Sequence, residues 1–244
     1  MSTLYGPSSI ATPGSTGLIL KVDASDSASY TGSGTTFTDL SGSGNNMTIA
    51  GTTFTRAGGL GYFTFAGSST ADRIYKTAFS HPLTTASHEI WIWPEAGYVN
   101  VATQYYISYE GTGAGNSNNF LIGVPLNTNF LVTSTSGGFI GGALTLSAWN
   151  HVVGTSNRTT GENKLYINGT CVNTFTVNAG TNFYSGGILM LGQEQDGDGG
   201  GTTTGLDPLQ SFKGRISAYS VWNKVLTPKE VTNLYLSNKS RFGL

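Results

Sequence analysis

Charge is what this chain has least of. Asp, Glu, Lys and Arg make up 10% of its 244 residues, where soluble domains carry about 25%. Twelve basic and 13 acidic residues leave a net charge of −1, which excludes a phosphate-gripping nucleic-acid face and a polybasic membrane patch. Cysteine is nearly absent too. The single Cys171 rules out an internal disulfide framework, and its place in an apolar alternation predicts a buried small hydrophobe. Long apolar runs are missing: residues 1–20 hold no charged n-region and no stretch long enough for a signal peptide or membrane span. With such a start, a protein that acts outside its cell is expected to leave by lysis or a dedicated secretion system. The Ala, Leu, Glu and Lys of helix-rich proteins are scarce as well. Gly, Thr, Ser and Asn fill the gap, with 35 glycines, while 11% aromatic residues exclude a disordered chain.

What is present reads as many short strands joined by turns. Residues 1–16, with Pro7 and Pro13, read as an extended N-terminal arm. From residue 17 to 244 strand signals recur every eight to twelve residues. Residues 17–23, 36–40, 47–50 and 62–65 open the series. Residues 88–93 (HEIWIW) alternate strictly, placing Ile90 and Ile92 on one face and Trp91 and Trp93 on the other. Residues 104–109, 120–124, 130–135, 144–155, 187–191 and 211–222 follow. Residues 164–177 form a hairpin whose Asn168-Gly169 pair supplies the positive φ angles of a tight turn. Thr227-Pro228-Lys229-Glu230 is a capping box with Pro at the first helical position, opening one helix to about Ser237. The pattern predicts an all-β, two-sheet antiparallel jelly-roll sandwich with one short C-terminal helix.

The sparse charge is also unevenly placed. Residues 96–157 carry one charged residue, Glu110, whereas Glu194, Asp196, Asp198 and Asp207 crowd into residues 194–207. The neutral stretch reads either as a subunit contact surface or as a Thr/Ser/Asn-rich solvent face.

Several stretches together resemble the laminin-G/pentraxin group of concanavalin A-like sandwiches. They are AWNHVVGT (148–155) with KLYINGT (164–170), LGQEQD (191–196), and QSFKGRISAYSVWNKVLT (210–227). Residues 23–46 and 62–74 look like the opening strands of laminin-G-like modules common in phage and bacterial surface proteins. The match spans about residues 17–238. The resemblance implies a calcium site made by Glu194, the Gln195 carbonyl, Asp196, Asp207 and Gln210, with Asn118 and Asn119 from an earlier loop. Calcium takes six to eight oxygens from carboxylates, amides and carbonyls, a supply these residues match. The chain departs from the pattern in three ways. Asn118 stands where pentraxins typically carry Asp, the loop after Asp196 is longer, and the pentraxin cysteine pair is missing. The competing reading of the loop is an acidic solvated segment without metal. Asp72 is a secondary ligand candidate.

Catalysis finds little support. Some glucanases of this fold alternate paired acids on one strand, but in EIWIWPE (89–95) Trp91 takes the central acid's place and Pro94 interrupts the ladder. His81, His88 and His151 are isolated in sequence, and His151 reads as a packed or edge residue and not as a base. Tyr105, Tyr106, Tyr109 and Tyr184 are candidate sugar-stacking rings, weighed against a place in the core.

The expected function is therefore a non-enzymatic structural or decoration protein on the virion surface of a tailed phage. It would pack on other virion proteins or on copies of itself as a homo-oligomer, with calcium-assisted binding of a cell-surface glycan and neither nucleic acid nor membrane as a partner. The alternatives are a bacterial lectin or adhesin module at the cell surface and a glycoside hydrolase.

Overall fold

The computed structural model describes residues 14–67, 70–96, 103–112, 119–124, 132–134, 142–195 and 206–244. Fifteen strands lie among them: β1 (Leu18–Asp23), β2 (Thr36–Phe37), β3 (Met47–Ala50), β4 (Thr53–Ala57), β5 (Leu60–Ala66), β6 (Arg73–Phe79), β7 (Thr85–Pro94), β8 (Gln104–Glu110), β9 (Phe120–Val124), β10 (Val132–Ser134), β11 (Asn150–Asn157), β12 (Glu162–Ile167), β13 (Thr170–Thr176), β14 (Gly187–Leu191) and β15 (Lys213–Trp222). One helix, α1 (Pro228–Asn238), is followed by a 3-10 turn at Lys239–Phe242. Among the described residues no helix is long and apolar enough to cross a membrane.

The strands form two antiparallel sheets. The first runs β13-β12-β11-β7-β15-β5-β4, with β1 pairing the second half of β15. The second runs β10-β9-β8-β14-β6-β3-β2. All ladders are antiparallel, as the two-sheet jelly-roll reading requires. The core lies between the sheets, where Ile90 and Ile92 of β7 meet Ile107 and Tyr109 of β8 and Leu189 and Leu191 of β14.

The other face of β7 is apolar for a different reason. Helix α1 and the C-terminal turn cover the outside of the first sheet. Val231 and Leu234 pack on Val153, Tyr166 and Trp222, while Phe242 stacks on Trp91 with centroids 3.9 Å apart. The helix starts where the sequence places it. The Thr227 side chain accepts from the Glu230 N–H and the Glu230 carboxylate accepts from the Thr227 N–H. Asn168 (φ 49°) and Gly169 (φ 78°) make the tight turn between β12 and β13.

Some expectations need correction. The strand expected at 36–40 shrinks to Thr36–Phe37, because Asp39 turns inward and its Oδ1 accepts from the Lys21 and Ser41 amides. Strand β4 has no alternation to announce it and is mostly exposed. Cys171 is exposed: it sits on the edge strand β13, most of whose residues face solvent. Of the proposed arm, only residues 14–16 lie among the described residues.

Candidate cation-binding site

Strand β14 ends at Leu191, and the φ of 83° at Gly192 then bends the chain sharply. A side chain there would collide with the Phe65 ring, with its Cβ 2.2 Å from the nearest ring atom. Glycine thus lets residues 193–195 double back over the outer face of the second sheet. The amide of Gln195 pins the fold-back: its Nε2 donates to the Ile188 carbonyl (3.0 Å) and to Ser108 Oγ (3.2 Å). Gln193 Nε2 donates to the Asp207 carbonyl (2.6 Å), which also accepts from the Gln210 N–H (3.0 Å). The two halves of the long loop are thereby tied together at their base.

Glu194 and Gln195 are buried, at 2% and 1% exposure, and Asn119 is buried as well. Gln195 lies against β8 and β14 through its bonds to Ser108 and Ile188, and the Gln193–Asp207 contact brings the 3-10 turn that carries Gln210 to the base of the same loop. Asp207 caps the 3-10 turn at Pro208–Gln210, its Oδ1 accepting from the Leu209 N–H (2.8 Å). Asn119 is tied to the backbone: its Oδ1 accepts from the Tyr184 N–H (3.1 Å) and its carbonyl accepts from Arg158 (3.0 Å). Asn118 and Asp196 lie outside the described residues. Asp72 serves the backbone, with Oδ2 accepting from the Ala66 N–H (2.7 Å).

One acid escaped the sequence reading. Glu110 is fully buried and stands two residues from Ser108, so both side chains leave the same outer face of β8. In the ladder it lies opposite Ile188, whose carbonyl holds Gln195. The signal was available: Glu110 is the single charge in residues 96–157.

The oxygens here fit a hard cation. Gln193 Oε1, Gln195 Oε1 and Gln210 Oε1 are buried without a hydrogen-bond partner among the described residues. Leaving a buried acceptor unsatisfied costs about 1–3 kcal/mol, and a cation among amide and carboxylate oxygens removes that cost. No group of three acids, histidines or cysteines is assembled among the described residues, so the amide oxygens carry much of the fit.

The histidines are not isolated in space. Buried His81 and His88 meet at 3.1 Å in the core. His151 is buried and donates from Nε2 to Glu89 Oε1 (3.0 Å). Glu89 and Glu95 do not form a catalytic pair. Six residues along an extended strand span roughly 20 Å, against the 5–9.5 Å of glycosidase carboxylates, and Glu95 bonds Lys213 at the surface. Among the tyrosines, Tyr106 and Tyr109 are core residues; burial pushes the Tyr109 hydroxyl up to about 12. Tyr184 is 47% exposed, and Tyr105 is half-buried.

Comparisons with known proteins agree with this architecture. Residues 67–232 match a laminin-G-type family model described as the concanavalin A-like lectin/glucanases superfamily. Human pentraxin-related protein PTX3 is 36% identical over 92 residues, covering 36% of this chain and 23% of that protein. The pentraxin fusion protein of Xenopus laevis is 36% identical over 89 residues, covering 36% and 20%. The chain thus spans less than a quarter of the length of these relatives. The heptameric SAP-like pentraxin of Limulus polyphemus superposes with a TM-score of 0.58 at 22% identity, covering 71% of this chain and 81% of that one. The botulinum neurotoxin DC binding domain, solved with SialylT, gives a TM-score of 0.64 at 15% identity, covering 91% and 52%. A Trypanosoma rangeli sialidase gives 0.63 at 14%, covering 93% and 34%. At these identities the structural likenesses establish the fold alone.

Proposed function

Because the chain belongs to the concanavalin A-like lectin/glucanases superfamily, in its laminin-G-type branch, we propose that it is a non-enzymatic carbohydrate-binding module that uses calcium. The observation that carries this reading is the fold-back of residues 193–195, which buries Glu194, leaves the amide oxygens of Gln193 and Gln195 without partners among the described residues, and holds Gln195 on the Ile188 carbonyl, opposite Glu110 in the ladder. Glu194, the Gln195 carbonyl and Gln210 would hold the ion, with Asp207, Asp196, Asn118 and Asn119 completing the set that the pentraxin resemblance implies. Glu110 supplies a carboxylate that makes up for Asn at position 118. A bound calcium ion offers open positions that polarise and orient sugar hydroxyls. Tyr184, exposed near the start of β9 through its bond to Asn119, offers an aromatic face beside that site.

The same reading places the module on the surface of a tailed-phage virion, packed against other virion proteins or its own copies. Support comes from the low-charge, Gly/Thr/Ser-rich composition and from the heptameric state of the Limulus protein of the same fold. A bacterial lectin or adhesin would use the same loop, and the neurotoxin binding domain solved in complex with SialylT favours this second reading. Calorimetry of the whole chain with calcium, then with EDTA, tests the metal step: stabilisation must appear with calcium and vanish with chelator. An unchanged melting temperature in millimolar calcium refutes it. Labelled antibody on purified virions separates the phage reading from the adhesin reading.

A further inference from the structure

The C-terminal turn covers only part of the outer face of the first sheet. Phe242 packs on Trp149 there, with ring centroids 5.0 Å apart. Beyond this cover the aromatic cluster of Trp91, Trp149 and Phe242 runs out into Tyr62 and Trp93, which are half-buried. Trp149 meets both of these rings edge-on, at 6.0 and 5.9 Å.

The ladders set an arginine between the two rings. Thr64 of β5, Arg215 of β15 and Trp93 of β7 align in one row across the sheet. Tyr62 stands two residues from Thr64, on the same face. Arg215 Cζ lies 5.0 Å from the Tyr62 ring centroid and 4.9 Å from that of Trp93, inside the roughly 6 Å of a cation–π contact. The nearest acids are engaged elsewhere, Glu95 with Lys213 and Glu89 with His151. Among the described residues the Arg215 guanidinium has no ion pair and no hydrogen bond, and the Trp93 indole N–H and the Tyr62 and Thr64 hydroxyls have no hydrogen bond either. None of these atoms is among the fully buried ones that lack a partner, so they reach solvent.

The chemistry of this group selects its ligand. A guanidinium is always charged and pairs with a planar carboxylate through two parallel N–H···O bonds. The flanking rings offer apolar surface to the C–H groups of a sugar, and the hydroxyls and indole N–H can bond its hydroxyls. Strands β5, β15 and β7 are interior to the sheet. An acidic peptide would therefore bring backbone groups that no sheet edge is free to meet, whereas a sugar brings none.

We propose that Tyr62, Arg215 and Trp93 form a second, metal-independent site that takes a carboxylate-bearing sugar residue. The site lies on the sheet opposite the candidate cation site. The inference rests on the carbohydrate-binding reading but not on its calcium step. The test titrates the full chain, in EDTA, with methyl glucuronide and trigalacturonate against neutral methyl glucoside, and follows the tryptophan indole N–H groups by heteronuclear NMR. An acidic sugar should bind and shift the Trp93 indole, with the glucoside at least about tenfold weaker. Arg215→Gln should weaken the acidic sugar at least about tenfold and erase that preference. Arg215→Lys, which keeps the charge and loses the fork, should fall between. No acidic-sugar binding in EDTA, equal binding of the glucoside, full affinity in Arg215→Gln, or tighter binding of a polyglutamate peptide each overturns the proposal and leaves the calcium reading standing. Binding here without any response to calcium leaves this site standing and removes only the calcium step. If Arg215→Gln unfolds, the Trp93 shift and Arg215→Lys decide.

Discussion

The buried histidine pair makes the protein acid-sensitive, and the size of the effect follows from the hydrogen bonds. The Pro82 carbonyl can only accept, so His81 Nδ1 carries a proton and donates to it (2.8 Å). A neutral His81 then offers a bare Nε2, which accepts from His88 Nε2–H (3.1 Å). That leaves His88 Nδ1 to accept from the Tyr219 hydroxyl (2.6 Å). Each donor meets an acceptor when both rings are neutral; protonating His81 sets two N–H groups face to face, and protonating His88 sets an N–H against the Tyr219 hydroxyl that donates to it. Burial drives His81 down from 6.5 to about 3; the Pro82 hydrogen bond opposes this and the charge of Arg158 adds to it. Burial also holds His88 well below its ordinary range, with His81 adding to the effect.

The unfolded chain therefore binds protons below pH 6.5 that the folded chain refuses. Stability is fully present above the unfolded value and falls as the pH drops below it. At pH 5 His81 alone costs about 2 kcal/mol relative to neutral pH, and His88 adds a cost of the same sign. Domains hold only about 5–15 kcal/mol in all, so the loss is large. Urea unfolding at pH 7, 6 and 5 should show the midpoint falling steeply. A His81→Gln/His88→Gln double variant should lose most of that slope, whatever its stability at pH 7. A wild-type midpoint that stays flat from pH 7 to 5, or a slope that persists in the double variant, refutes the reasoning.

Two further outcomes follow from the fold-back. Glu110→Gln should weaken calcium binding at least about tenfold while leaving the fold intact, as read by calorimetry with and without chelator; equal affinity removes Glu110 from the site. Gly192→Ala should destabilise the chain by more than about 1 kcal/mol, because φ is 83° and the added Cβ meets Phe65. It should also release residues 193–195 to proteolysis, whereas an uncleaved, equally stable variant would show that glycine is not required at the bend.

The fold was legible because its signals are local. Strict alternation in HEIWIW, Asn168-Gly169 and the Thr227–Glu230 box each act within a few residues, and each appears where the pattern requires. What stayed hidden depends on pairing. Cys171 alternates like a core residue, yet its strand lies at a sheet edge, and alternation cannot say what covers a face. His81 and His88 are seven residues apart in sequence, and a turn between β6 and β7 brings their rings together.

The sites divide in the same way. LGQEQD is readable because its residues are neighbours and a family resemblance assigns them a role. Glu110 comes to the same place only through the β8–β14 ladder, and Glu89 finds His151 only because β11 lies beside β7. Both acids sit on outer sheet faces that sequence alternation marks as solvent-facing, and both are buried because something crosses above them. Next to Glu110 it is the fold-back after Gly192, whose Gln195 bonds the Ile188 carbonyl across the ladder; beside Glu89 it is α1 and the C-terminal turn. In a two-sheet sandwich the inner faces are consumed by the core. Burial of a charged side chain on an outer face therefore requires a cover, and that cover is what turns a flat sheet into a place where a ligand can be held.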